Sequence, residues 1–132
     1  MSQNYIYNTS ENQKINITTF GTSNLEKGNC LIFVHGFKGF KDWGFVPHLA
    51  KHFSENGYFV ITFNFSHNGV GKSLTEFDEL DKFANNTLSR EVNELIEIIS
   101  AYKNGFFGKI SNQNKIGLVG HSRGGAVSIL AA

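Results

Sequence analysis

Lys115-Ile116-Gly117-Leu118-Val119-Gly120-His121-Ser122-Arg123-Gly124-Gly125-Ala126 is the stretch that decides how the rest of the chain is read. Four apolar or small residues lead into a turn, and an apolar helical run follows it. The turn, Gly120 to Gly124, has the form Gly-x-Ser-x-Gly, which bends a strand sharply into a helix and holds its serine in a strained conformation with Oγ projecting above the sheet. A Cβ two residues either side of that serine would strike the neighbouring strand and helix, so glycine is expected at Gly120 and Gly124. Gly125 is expected to extend the same clearance.

Working outward, Leu31-Ile32-Phe33-Val34-His35-Gly36-Phe37 is a second apolar strand running into a His-Gly turn. With this pair of motifs the chain resembles the front half of an α/β-hydrolase, from its opening strands through the helix that follows the serine turn. The resemblance implies that Ser122 is the nucleophile. It also implies that the backbone N–H groups of Phe37 and Arg123 form an oxyanion hole facing Ser122 Oγ. In that family the histidine of the His-Gly turn supports the loop, so His35 is expected to be structural rather than a base. The family order of serine, acid, histidine places both remaining triad members beyond residue 132.

The length allows a single modest core but is short for a complete α/β-hydrolase sheet. The 132 residues carry 12 basic and 11 acidic side chains without a long run of either sign, so nothing favours nucleic acid or an anionic membrane as partner. The N-terminus lacks the basic and apolar regions of a signal peptide, no apolar run reaches membrane-spanning length, and a cytoplasmic location is expected by default. The single cysteine, Cys30, opens an apolar strand and is expected to be buried and inert.

Read in order, Asn4–Asn8 and Lys14–Phe20 alternate as two half-exposed antiparallel strands joined across the polar stretch 9–13. Cys30–Val34 and Tyr58–Phe65 read as strands buried on both faces of a parallel sheet. Between them Phe45, Val46, Leu49, Ala50 and Phe53 mark one amphipathic helix, with Pro47 in its first turn and Gly57 beyond its end. His48 and His52 share its spacing, but Leu49 stands where a metalloprotease motif needs glutamate, so a surface pair is expected and no metal site. The irregular segment 38–44 reads as oxyanion loop and pocket wall. Phe40 and Trp43 are its candidate pocket residues, packing beneath the loop being the alternative for each, as for Phe37.

A second helix is expected after Asn86 or Thr87 as cap, burying Leu88, Val92, Leu95, Ile96 and Ile99 and closing at Asn104-Gly105. The acidic stretch 74–86 reads as a solvated face. The expected fold class is α/β, the N-terminal half of an α/β-hydrolase fold: two opening strands, then parallel strands with crossover helices. The final helix runs through Ala126, Val127, Ile129 and Leu130 into Ala131-Ala132 with no stop signal, so residues 1–132 are read as an incomplete domain cut after that helix.

The function expected is a serine hydrolase acting on a carboxylic ester or related acyl bond of a small-molecule substrate, without cofactor. The 132 residues alone are expected to be inactive. Two alternatives stand beside it. A non-catalytic member of the same fold has every feature quoted so far. A P-loop-like nucleotide site on Gly71-Lys72-Ser73 follows a strand as the motif requires, but Ser66 occupies the place of its first glycine.

Overall fold

The computed structural model describes residues 2–70, 76 and 79–132. Strands β1 (Ser2–Asn8) and β2 (Lys14–Phe20) form an antiparallel hairpin, with Thr9 and Gln13 bonded across its turn. β2 then pairs antiparallel with β4 (Phe59–Phe63). β4 pairs parallel with β3 (Cys30–Val34), and β3 pairs parallel with β5 (Ile116–Gly120). The resulting order is β1-β2-β4-β3-β5.

Side chains alternate across a strand, and the two faces of this sheet carry separate cores. Cys30, Ile32 and Val34 of β3 share one face with Phe59, Ile61 and Phe63 of β4, packed under helix α3 (Leu88–Lys103) and helix α4 (Arg123–Ala131). Phe33 and Val60 point the other way, against Val46 and Ala50 of helix α1 (Val46–Glu55). Both strands are therefore almost wholly apolar, as strands covered on both sides must be; the exception, Thr62, is buried with its hydroxyl donating to the Thr18 carbonyl at 3.2 Å. Cys30 is fully buried in the first core, and burial pushes its thiol up to about 12.

A short helix, α2 (Leu80–Ala84), occupies the segment read as a solvated face, and none of its residues is buried. Thr87 caps α3, its hydroxyl accepting from the Arg90 N–H at 3.1 Å. The buried face of α3 differs from the apolar stripe expected from the sequence. Glu91, Glu94, Leu95, Ile98, Ala101 and Tyr102 face inward, Val92 and Ile99 pack at the margin, and Leu88 and Ile96 are exposed. The helix is rolled because both glutamates have partners to meet: Glu94 accepts from the Ser66 amide and hydroxyl, and Glu91 from Arg123 and Asn86. Burial raises the Glu94 carboxyl above the usual range. Phe45 is a second difference. It precedes α1 and lies against Trp43 and His121 instead of under the helix.

Among the described residues no helix is long and apolar enough to cross a membrane. Lys72 and Ser73 of the nucleotide-site alternative lie outside the described residues.

Candidate active site

In an open parallel sheet, ligands bind outside the carboxyl ends of neighbouring strands whose following helices go to opposite faces. Here those strands are β3 and β5, since α1 covers one face and α4 the other. The His35-Gly36-Phe37 turn leaves β3 and the Ser122 turn leaves β5, so the topology alone brings the two sequence motifs together.

Ser122 sits at φ +56°, ψ −123°, between the end of β5 at Gly120 and the start of α4 at Arg123. A non-glycine residue held there stores about 1–3 kcal/mol of strain, which the surroundings must impose. The close packing that imposes it is measurable. A Cβ on Gly124 would stand 2.1 Å from the Val34 carbonyl oxygen, and one on Gly120 would stand 2.6 Å from Gly125 Cα. The first contact binds α4 to β3, the second folds α4 back on its own strand. Gly125 itself differs from expectation, because a Cβ there would meet only the Gly120 carbonyl oxygen at 3.9 Å. Its side-chain direction is open; what is crowded is its backbone, against Gly120.

The His-Gly turn lies directly on the serine. A Cβ on Gly36 would reach 2.6 Å from the His121 carbonyl oxygen and 3.0 Å from Ser122 Cβ, with the Arg123 amide nitrogen at 3.4 Å. Among the described residues neither the Phe37 nor the Arg123 N–H donates to an acceptor, and Ser122 Oγ has no hydrogen-bond partner.

His35 clamps this turn. Its Nε2 accepts from the Phe65 N–H at 3.1 Å, which leaves Nδ1 as the protonated nitrogen, donating to the Gly36 carbonyl at 3.0 Å. Burial lowers its pKa, as suits an imidazole that must stay neutral to accept that bond. With both nitrogens engaged, His35 is a support and not a free base. The loop beyond it is tied down by Asn64 Oδ1, which accepts from the Lys41 N–H at 2.7 Å.

The remaining histidines are placed elsewhere. His48 and His52 are exposed on α1, His67 Nδ1 lies 2.7 Å from Ser66 Oγ, and the His121 ring lies against Trp43 with centroids 5.6 Å apart. Phe40 and Trp43 line a cavity of about 260 Å³ beside the turn, together with Gly36, Phe37, Val119 and His121. The Arg123 side chain turns back to α3, its Nε donating to Glu91 at 2.6 Å. Glu91 also accepts from Asn86 Nδ2 at 3.0 Å. Sequence reasoning missed Glu91, Phe45 and His121, because an amphipathic stripe counts only apolar positions and a turn residue carries no periodicity.

The family model for the alpha/beta hydrolase fold matches residues 29–132. The chain belongs to that family. No curated protein matches it. Solved structures do. The alpha/beta hydrolase GrgF from Penicillium sp. sh18 superposes with a TM-score of 0.77 at 20% identity, over 99% of this chain and 41% of that one. Est1E from Butyrivibrio proteoclasticus, in a structure with ferulic acid bound, gives 0.75 at 25% identity over 97% and 47%. An esterase of Pyrococcus furiosus gives 0.73 at 19% identity over 98% and 43%. The alpha/beta hydrolase chain described here thus spans less than half the length of each of these structures.

Proposed function

We propose that this chain carries the nucleophile half of a serine esterase or related acyl hydrolase, with Ser122 as nucleophile and the triad acid and histidine supplied from beyond residue 132. The observation that carries the reading is the strained Ser122 at the carboxyl end of β5, with Gly36 packed against it. The Pyrococcus furiosus esterase among its structural relatives supports the reaction class.

In the proposed reaction Ser122 Oγ attacks the carbonyl carbon while an imidazole takes its proton, since a free serine hydroxyl is a weak nucleophile at neutral pH. The carbonyl oxygen gains the negative charge and settles between the Phe37 and Arg123 N–H groups, each such donor lowering the barrier by roughly 3 kcal/mol. The tetrahedral species collapses with cleavage of the bond to the leaving alcohol, which receives the imidazole proton. Water then releases the acid from Ser122 by the same steps. Strain at Ser122 serves this sequence by holding Oγ clear of the helix that follows it.

None of the five histidines is bonded to Ser122 Oγ among the described residues, which supports a base from outside them. Hydrolysis of p-nitrophenyl acetate and butyrate tests the reading. The full-length protein should turn both over, Ser122→Ala should abolish turnover, and residues 1–132 alone should stay at background. Ser122-dependent turnover by residues 1–132 would place the base among those five histidines. A full-length protein inert towards a broad ester panel would mean a non-catalytic member of the fold.

A further inference from the structure

The cavity beside Ser122 is aromatic on its floor and around its mouth, and the two parts differ in exposure. Phe33 lines the floor and is held in the core under α1, so its shape is fixed. At the mouth Trp43 and Phe45 are 40% and 46% exposed, although each is large and apolar. These rim rings are already ordered. Trp43 and His121 lie 5.6 Å apart at 33°, and Phe45 stands nearly edge-on to both, at 69° to Trp43 and 79° to His121. Such offset and edge-to-face arrangements are the ones aromatic quadrupoles favour, and they present further faces and edges to an incoming ring.

The size of the cavity narrows the ligand. A dry apolar cavity of about 150 Å³ holds one benzene molecule. The roughly 260 Å³ here therefore takes one six-membered ring with a short linker, and drug-sized ligands need about 300–1,000 Å³. The linker has somewhere to lead, because Gly36 and His121 line the same cavity and flank Ser122, the first in space and the second in sequence. Among the described residues the aliphatic side chains of the lining are those of the three short valines 34, 46 and 119, which offer an extended alkyl chain little matching surface.

We propose that this cavity selects an aryl or short arylalkyl acyl group, so that the substrate class is an ester of an aromatic or phenylalkanoic acid. The proposal rests on the reading of Ser122 as nucleophile for its chemistry, but the ring site is testable without turnover. Trp43 is the only tryptophan of the chain and lies in the cavity wall, so its emission reports occupancy directly.

The experiment titrates the chain with 3-phenylpropanoate and, separately, with hexanoate, which shares the charge and has a comparable reach. Trp43 emission is followed in both titrations. Favourable ring geometry adds up to about tenfold in affinity beyond area burial, so 3-phenylpropanoate should saturate at a Kd several-fold to tenfold lower. Val119→Phe places a ring in the cavity from a partly exposed position and should abolish the response. A circular dichroism melt unchanged from the parent would show that the variant is folded; Phe40→Ala, which enlarges the cavity, should weaken the response several-fold and serves as the second variant. Equal or tighter binding of hexanoate, no saturable response to either acid, or a response to phenylpropanoate that survives both variants would overturn the proposal. Covalent labelling of Ser122 is unaffected by any of these outcomes, so failure of the ring site and failure of the nucleophile assignment are separable.

Discussion

Replacing Gly124 by alanine adds one methyl group to the first turn of α4 and should unlock the serine turn. The added Cβ would lie 2.1 Å from Val34 O, 2.6 Å from His35 O and 2.8 Å from Val34 C. Ordinary carbon to oxygen contacts fall near 3.3–3.6 Å, so the overlap with Val34 O is about 1.2 Å. No side chain rotates to relieve it, because all three atoms are backbone of β3 and its exit. The helix start must therefore move about 1 Å from the strand, which disturbs the His121 N–H bond to Val34 O at 3.1 Å. Overpacking of this kind costs typically 1–3 kcal/mol, and a backbone clash belongs at the upper end. Alanine returns up to about 1 kcal/mol in helix propensity. The net loss is about 2–3 kcal/mol, or roughly 8–12 °C in Tm for a chain of this size.

Gly125→Ala is the matched control. Its Cβ meets nothing closer than 3.9 Å, and neither glycine has a positive φ, so the two variants differ in sterics alone. Gly125→Ala should be neutral or stabilising by up to about 1 kcal/mol. Urea and thermal unfolding followed by circular dichroism would measure both. Equal stabilities for the two variants would refute the reasoning, since they would show that β3 does not confine α4 at Gly124.

Other expectations concern the groups around the turn. His35, held neutral by burial and by the Phe65 N–H, contributes stability that is complete above the unfolded value of about 6.5 and is lost as pH falls towards its depressed folded pKa; its ring ¹⁵N shifts should stay those of a neutral imidazole below pH 6.5, and protonation at or above that pH would contradict the clamp. Glu91→Gln removes the charge that Arg123 Nε meets and should cost about 1–2 kcal/mol in urea unfolding, less than a fully buried pair because Arg123 is 35% exposed; no change would show the pair to be incidental. Cys30, buried and with its thiol raised to about 12, should resist alkylation by iodoacetamide in the native state and react at once in denaturant; native labelling at the denatured rate would place it at the surface.

The strands and the serine turn were legible because each rests on local rules. Cys30–Val34 is apolar throughout and Phe59–Phe63 is so but for Thr62, and the Gly-x-Ser-x-Gly pattern itself supplies glycine where the turn meets its own helix, at Gly120, and the neighbouring strand, at Gly124. The Thr87 cap was legible for the same reason. The roll of α3 was not, because Glu91 and Glu94 become inward-facing only when partners from other segments, Arg123 and Ser66, arrive to satisfy them. Hydrophobic periodicity assigns a glutamate to solvent, and nothing local to 88–103 says otherwise. Phe45 was misplaced by a similar limit: it fits the stripe of α1 by spacing, while its ring is drawn to Trp43 and His121 across the site. At the site, Phe40 and Trp43 were assigned to the pocket from their loop, whereas the part taken by His121 depends on the approach of β5 to that loop.

The proposed role of Ser122 is tested most directly by covalent labelling. The full-length protein is treated with a fluorophosphonate, and the modified peptide is mapped by mass spectrometry. The expected result is one adduct per chain on Ser122, lost in Ser122→Ala and slowed in Gly124→Ala. An adduct on another serine, or none under conditions where the protein is folded, would contradict the assignment of Ser122 as nucleophile.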